Sequence, residues 1–174
     1  TACLTIPVSS IDEYVITGST TSNYVIVEFG WKGTITLKNC KFDFSNQGNS
    51  PIRITGQNNL SNSDPSRTNV NLILDGDNYI YNDGGSNSCI QVDQGAQVNI
   101  SAIEPCDNSS GTLTALQANA WGGAAIGSRS SSGRDETSAY VTLSNGVEGI
   151  TAGGNIVISS GTITARGGHG AGIG

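Results

Sequence analysis

The sequence predicts an all-β chain wound as a right-handed, single-stranded parallel β-helix, a β-solenoid of about six coils with loop insertions. One unit recurs. Gly111-Thr112-Leu113-Thr114-Ala115 followed by Gly122-Gly123-Ala124-Ala125-Ile126-Gly127 returns as Gly161-Thr162-Ile163-Thr164-Ala165-Arg166-Gly167-Gly168 followed by Gly170-Ala171-Gly172-Ile173-Gly174. A short alternating strand, a glycine corner and a small-residue strand that repeat together are the mark of stacked architecture. Short apolar/polar alternation also recurs from Leu4 to Ile173, while helix formers are scarce in any 3.6-residue pattern. The turns lack hairpin dipeptides between matched strands, which favours pairing with equivalent strands one coil away.

The elements follow in order from runs of alternating β-branched and aromatic residues bounded by Gly, Asn, Asp and Ser. They are 3–6, 14–17, 24–29, 34–37, 41–44 and 51–55, then 70–74, 79–81, 89–92 and 97–100 after a polar loop. The last group is 112–115, 124–126, 140–143, 155–158, 162–165 and 171–173. Loops at 57–69, 102–110 and 128–138 interrupt the coils, and 140–150 reads either as a full coil or as part of an excursion. Residues 1–30 form an N-terminal coil or cap and 31–174 the repeat coils of one domain. Ile35, Leu37, Cys40, Phe42 and Phe44 align with Ile156, Ile158, Gly161, Ile163 and Ala165 as inward positions. The shrinkage from Phe42 and Phe44 to Ala115 and Ala165 implies a core that narrows along the chain.

Composition restricts the partners. The 174 residues include 24 Gly and only 13% charged side chains, with a net charge of -6. The eight Lys and Arg form no stripe, so nucleic acid is not an expected partner. No apolar run reaches the about 20 residues that span a bilayer, so no membrane insertion is expected. Cys3, Cys40, Cys89 and Cys106 have neither CxxC nor His-paired spacing, which argues against zinc. An even cysteine count in a Ser/Thr/Asn-rich chain suggests an oxidising, extracellular setting. Cys89 precedes one strand and Cys106 follows the next, so these two are expected to pair, leaving Cys3 with Cys40. The alternative is that some are free buried thiols.

The segments Gly-Ala-Ala-Ile-Gly, Gly-Thr-Ile-Thr-Ala-Arg-Gly-Gly and Gly-Ala-Gly-Ile-Gly resemble the glycine-rich right-handed β-helix repeats of secreted and wall-attached proteins from gut Firmicutes and related bacteria. The likeness runs from about Gly33 to Gly174 and includes the order of the strand motifs. It implies a place among non-catalytic carbohydrate-binding modules and adhesin-like proteins of the bacterial cell surface. It supplies no catalytic motif.

Several individual residues have a plainer role beside a functional one. His169, in Gly168-His169-Gly170, resembles the Gly-His-Gly of pectin-cleaving hydrolases on the same fold. Their partnering Asp-Asp, Asn-Thr-Asp and Arg-Ile-Lys segments are missing, so a turn histidine is the expectation. A lyase would need its base near calcium-holding carboxylates, but Lys32, Lys38 and Lys41 are far in sequence from Arg129, Arg134 and Arg166. Asp75, Asp77 and Asp83, with Asn78, cluster around one turn and are the candidate calcium ligands, against the plainer role of turn formers. The outward pairs Thr34/Thr36, Thr112/Thr114 and Thr162/Thr164 are too interrupted for an ice-binding face.

Tyr79 and Tyr81 flank Ile80 and are expected to point outward, where aromatic rings stack on sugars or anchor a protein interface. Trp121 is a further ligand candidate, although Trp31 and Trp121 both suit core-covering corners. Arg129 and Arg134 lie with Asp135 and Glu136 in a loop long enough for a partner contact. The chain stops at Gly174 inside a repeat, so a longer parent chain or end-to-end contact at the C-terminal coil is expected.

The expected function is non-catalytic binding or adhesion, without a catalytic residue or an obligatory cofactor. The ligand is a polysaccharide or a host glycoprotein such as an immunoglobulin. The alternatives are a hydrolase or lyase acting on acidic, pectin-like polysaccharide, and a structural spacer that stacks through its ends.

Overall fold

The computed structural model describes residues 1–45, 47–57, 60, 64–103, 111–119, 123–128, 154–168 and 170–174, together with the backbone of 140–143. Within them the strands are β1 (Cys3–Ile6), β2 (Glu13–Thr20), β3 (Tyr24–Val27), β4 (Lys32–Phe44), β5 (Ile52–Ile54), β6 (Asn69–Asn82) and β7 (Ile90–Val92). They continue as β8 (Gln97–Ala102), β9 (Gly111–Gln117), β10 (Ile126–Gly127), β11 (Tyr140–Leu143), β12 (Asn155–Ile158) and β13 (Thr162–Arg166). All their pairings are parallel.

A five-stranded sheet has the order β1-β3-β5-β7-β10. An eight-stranded sheet runs β11-β12-β8-β6-β4-β2, with β9 paired to β6 and β13 paired to β9. Neighbours in a sheet are distant in sequence. Hydrogen-bonded residues on adjacent strands or at their ends lie 21 residues apart at Ala2 and Asn23, and 58 apart at Gln97 and Asn155.

This arrangement corrects the expected single-stranded β-helix of about six coils. The strands gather in two separate parallel sheets and do not close into one solenoid. The physical reason is visible in β4 and β6. The alternation suggested a break in the polar middle of each, yet the backbone continues through, giving strands of 13 and 14 residues. Asn39 at φ 51° and Gly76 at φ 69° bend the chain, and the register shifts between Lys38 and Lys41. Residues that tolerate the left-handed region can turn a strand without ending its ladder.

The two bends interlock. Asn39 Oδ1 accepts the Asp77 N–H at 3.1 Å, and a Cβ on Gly76 would lie only 2.2 Å from that oxygen. Beyond Gly76 the partner of β6 changes, from β8 along 69–74 to β9 along 76–82. The eight-stranded sheet therefore forks into a β8–β12 branch and a β9–β13 branch.

Inward residues of both sheets form one hydrophobic cluster. Phe42 is in register with Ile80, Ile80 with Ala115, and Ala115 with Ala165, so side-chain volume falls along this row as the sequence suggested. The finer alignment is displaced by two residues. Ile35 shares its row with Leu72, Ile100 and Ile158, rather than with Ile156. A shift of two preserves the face of every side chain, which is why the inward set survives the error. Trp31 is 1% exposed, tilted against Tyr14 at 6.1 Å, with Nε1 donating to the Ile11 carbonyl at 3.3 Å. It covers the core, one of the two roles weighed for it.

Buried amides hold the bends. Asn78 Oδ1 accepts the Cys40 N–H at 3.0 Å, while its Nδ2 donates to the Gly76 and Thr112 carbonyls, each at 3.2 Å. Buried polar groups carry little penalty when satisfied in this way.

The cysteines depart from expectation. Cys3 is an exposed free thiol on β1, and Cys40 a buried free thiol on β4. They belong to different sheets, and Cys40 Sγ donates instead to the Ile16 carbonyl at 2.8 Å. No Cys3–Cys40 disulfide forms. Cys89 is also free and buried, and its proposed partner Cys106 lies outside the described residues. Burial raises the Cys40 pKa and pushes that of Cys89 from 9.0 up to about 12.

Candidate functional site

The two branches of the eight-stranded sheet differ on their outer faces. On the β8–β12 branch, amides bond to one another. Gln97 Nε2 donates to Asn99 Oδ1 at 2.6 Å, and Asn99 Nδ2 reaches Asn69 Oδ1 at 2.9 Å and Asn71 Oδ1 at 3.0 Å. Asn155 Nδ2 donates to Gln97 Oε1 at 3.2 Å, leaving Asn155 Oδ1 as the one buried acceptor of this group without a partner. The five-stranded sheet is similarly engaged. Arg53 grips Asp93 Oδ2 through Nε at 3.0 Å and Nη2 at 2.8 Å, while Gln91 links Ser50 to Asp93.

Along the β9–β13 branch, parallel register creates two outward rows. One reads Lys41, Tyr79, Thr114, Thr164, and the other Asp43, Tyr81, Leu116, Arg166. Ile80 is fully buried, so Tyr79 and Tyr81 stand on the outer face on either side of it, both half-buried. Lys41 Nζ lies 5.7 Å from the Tyr79 ring centroid and 3.7 Å from Asp43 Oδ2. The Tyr81 hydroxyl donates to the Asp83 carboxylate; burial first, and then the charge on Asp83, raise the Tyr81 pKa. Burial, and then the charge on Asp43, raise the Tyr79 pKa as well.

A groove of about 360 Å³ opens where β6, β9 and β13 end. Tyr81 and Leu116 supply apolar surface, Arg166 supplies a cation, and Gln117, Gly167 and Gly168 complete the wall. Gln117 is buried and fixed, with Nε2 donating to the Gly85 and Asn87 carbonyls at 3.2 and 3.0 Å and Oε1 accepting from Asn119 N–H at 2.7 Å. A Cβ on Gly168 would meet the Asn119 carbonyl at 1.9 Å, so glycine is needed for the wall to close this tightly. Arg166 is exposed and has no ion pair among the described residues. An apolar surface with one or two convergent polar groups is the usual character of a small-ligand site.

The candidate calcium ligands do not converge. Asp75 pairs with Lys38 at 2.8 Å, Asp77 accepts the Thr112 hydroxyl at 2.9 Å, and Asp83 accepts from Tyr81. Among the described residues no three His, Cys, Asp or Glu side chains gather as a metal site. Trp121, Arg129, Arg134 and His169 lie outside the described residues. Leu116 was not among the sequence candidates, and Arg166 entered only as a possible lyase base, not as a ligand contact. Their signal was present in the repeat itself, because each follows a Thr-x-Thr-Ala segment and so occupies an outward position.

No helix among the described residues is long and apolar enough to cross a membrane. No protein-family model, curated protein or solved structure matches the chain.

Proposed function

We propose that this chain is a non-catalytic recognition module that binds a polysaccharide along the β9–β13 branch. The carrying observation is the groove in which Tyr81, Leu116 and Arg166, a cation with no ion pair among the described residues, share one wall system. A sugar presents an apolar ring face and a polar rim. The first suits stacking on Tyr81 and contact with Leu116, and the second suits hydrogen bonding to the groove edge. Binding rather than hydrolysis is supported by the state of the carboxylates beside the groove, which are engaged by neighbours, Asp43 by Lys41 and Asp83 by Tyr81.

Calorimetric titration with a panel of neutral and acidic oligosaccharides tests this reading. At least one should bind, and Tyr81→Ala should weaken it about tenfold, the scale of a lost stacking contact plus its buried area. Unchanged affinity in Tyr81→Ala for every bound glycan would place the site elsewhere. Release of new reducing ends from any of them would refute the non-catalytic assignment.

A further inference from the structure

We infer that the groove selects a glycan carrying a single carboxylate in an otherwise neutral segment, held in one orientation with the carboxylate at Arg166. The inference rests on the polysaccharide-binding reading and adds ligand class and polarity to it. Its basis is the order of charges along one row of register partners.

That row runs Asp43, Tyr81, Leu116, Arg166 across β4, β6, β9 and β13. Neighbouring strands are about 4.8 Å apart, so the anionic and cationic ends of the row are separated by about three such spacings. The aromatic and aliphatic side chains lie between them. Asp83, hydrogen-bonded to Tyr81, places a second carboxylate at the tyrosine end. Lys41 does not reverse that polarity, because its ammonium is shared between Asp43 and the Tyr79 ring.

Among the described residues Arg166 is therefore the cation the groove presents to a ligand. Its planar guanidinium matches a planar carboxylate through two parallel N–H···O bonds, a geometry an ammonium cannot offer. Hydroxyls, which can donate, suit the Asp43 and Asp83 end, where a second carboxylate would meet like charge. The net charge of -6 adds a repulsive field against any long polyanion. One acid is welcomed and a run of acids is not.

Three oligosaccharides of equal length serve as probes. One is a neutral chain ended by a single uronic acid, one is the same chain with that carboxyl reduced to a primary alcohol, and one is made wholly of uronic acid. Wild-type protein should bind the first about tenfold or more tightly than the second, as expected for one charge-assisted bidentate contact. It should bind the third more weakly than the first. Arg166→Gln should erase the preference for acid over alcohol. Asp43→Asn should improve binding of the all-acid chain. Equal affinity for acid and alcohol, or a preference that survives Arg166→Gln, overturns the inference. If the alcohol still binds through Tyr81 in that case, the polysaccharide-binding reading stands alone. If none of the three binds, both fall together.

Discussion

The two branches of the eight-stranded sheet share β4 and β6, yet they treat their outward polar groups in opposite ways. On the β8–β12 branch, Asn69, Asn71, Gln97, Asn99 and Asn155 hydrogen-bond to one another across strands. On the β9–β13 branch, Tyr81 and Leu116 leave apolar surface in a groove, and Arg166 has no ion pair among the described residues. A ladder of amides stabilises its own sheet and offers a ligand little that is not already occupied. A groove with an unpaired cation gives up that local stabilisation and keeps the groups for a partner. On the proposed function, local satisfaction of hydrogen bonds is a better guide to the binding face than polarity, since by polarity alone the amide face would be the richer candidate.

The bend that separates the branches offers the most disruptive way to break this contrast. Asn78→Ala should destabilise the protein by about 3 kcal/mol or more, because it strands the Cys40 N–H and the Gly76 and Thr112 carbonyls. Urea unfolding should show the loss, and glycan binding should weaken with it as β9 loses its anchorage. A loss below about 1 kcal/mol would mean that the interlocked Asn39 and Gly76 hold the fork without that amide.

A milder pair of substitutions sharpens the contrast. Asn99→Ala should cost about 1 kcal/mol by removing the centre of the amide ladder, and it should leave glycan affinity unchanged. Tyr81→Ala should do the reverse, altering stability by about 0.5 kcal/mol or less while losing affinity. If both variants move both readouts, the branches are not energetically separate.

Much of this arrangement was legible in the residues. The alternation around Ile80 put Tyr79 and Tyr81 outside, and the decline from Phe42 to Ala165 described a real row. The long strands were not legible, because Asn39 and Gly76 look like strand-ending turns until both bends are seen to stack. Nor was the groove. It depends on the register that brings Leu116 between Tyr81 and Arg166, and short strands with similar motifs fit several registers equally well by pattern alone.

The smallest expected effect concerns pH. Cys89 has its thiol pKa pushed from 9.0 to about 12, chiefly by burial. The unfolded chain releases that proton from about pH 9, whereas the folded chain retains it until about pH 12. Its contribution is therefore intact below pH 9 and is lost as pH rises through that window. Cys89→Ala should flatten the alkaline decline in unfolding free energy, after allowance for the variant's constant offset. An unchanged slope would show that the thiol is not kept protonated by the fold.

The row Phe42, Ile80, Ala115, Ala165 also bears on how such a molecule can grow by duplication of its own gene. A further Thr-x-Thr-Ala copy laid beside β9 or β13 would present alanine to alanine and require no compensating change. The same copy laid beside β4 would replace Ile80, Phe42's neighbour, with a methyl group and open a void, at a cost of about 2–5 kcal/mol on the scale of isoleucine-to-alanine truncations. Tandem lengthening is therefore open on the alanine side and closed on the phenylalanine side. The groove of Tyr81, Leu116 and Arg166 stands on the side that can be copied.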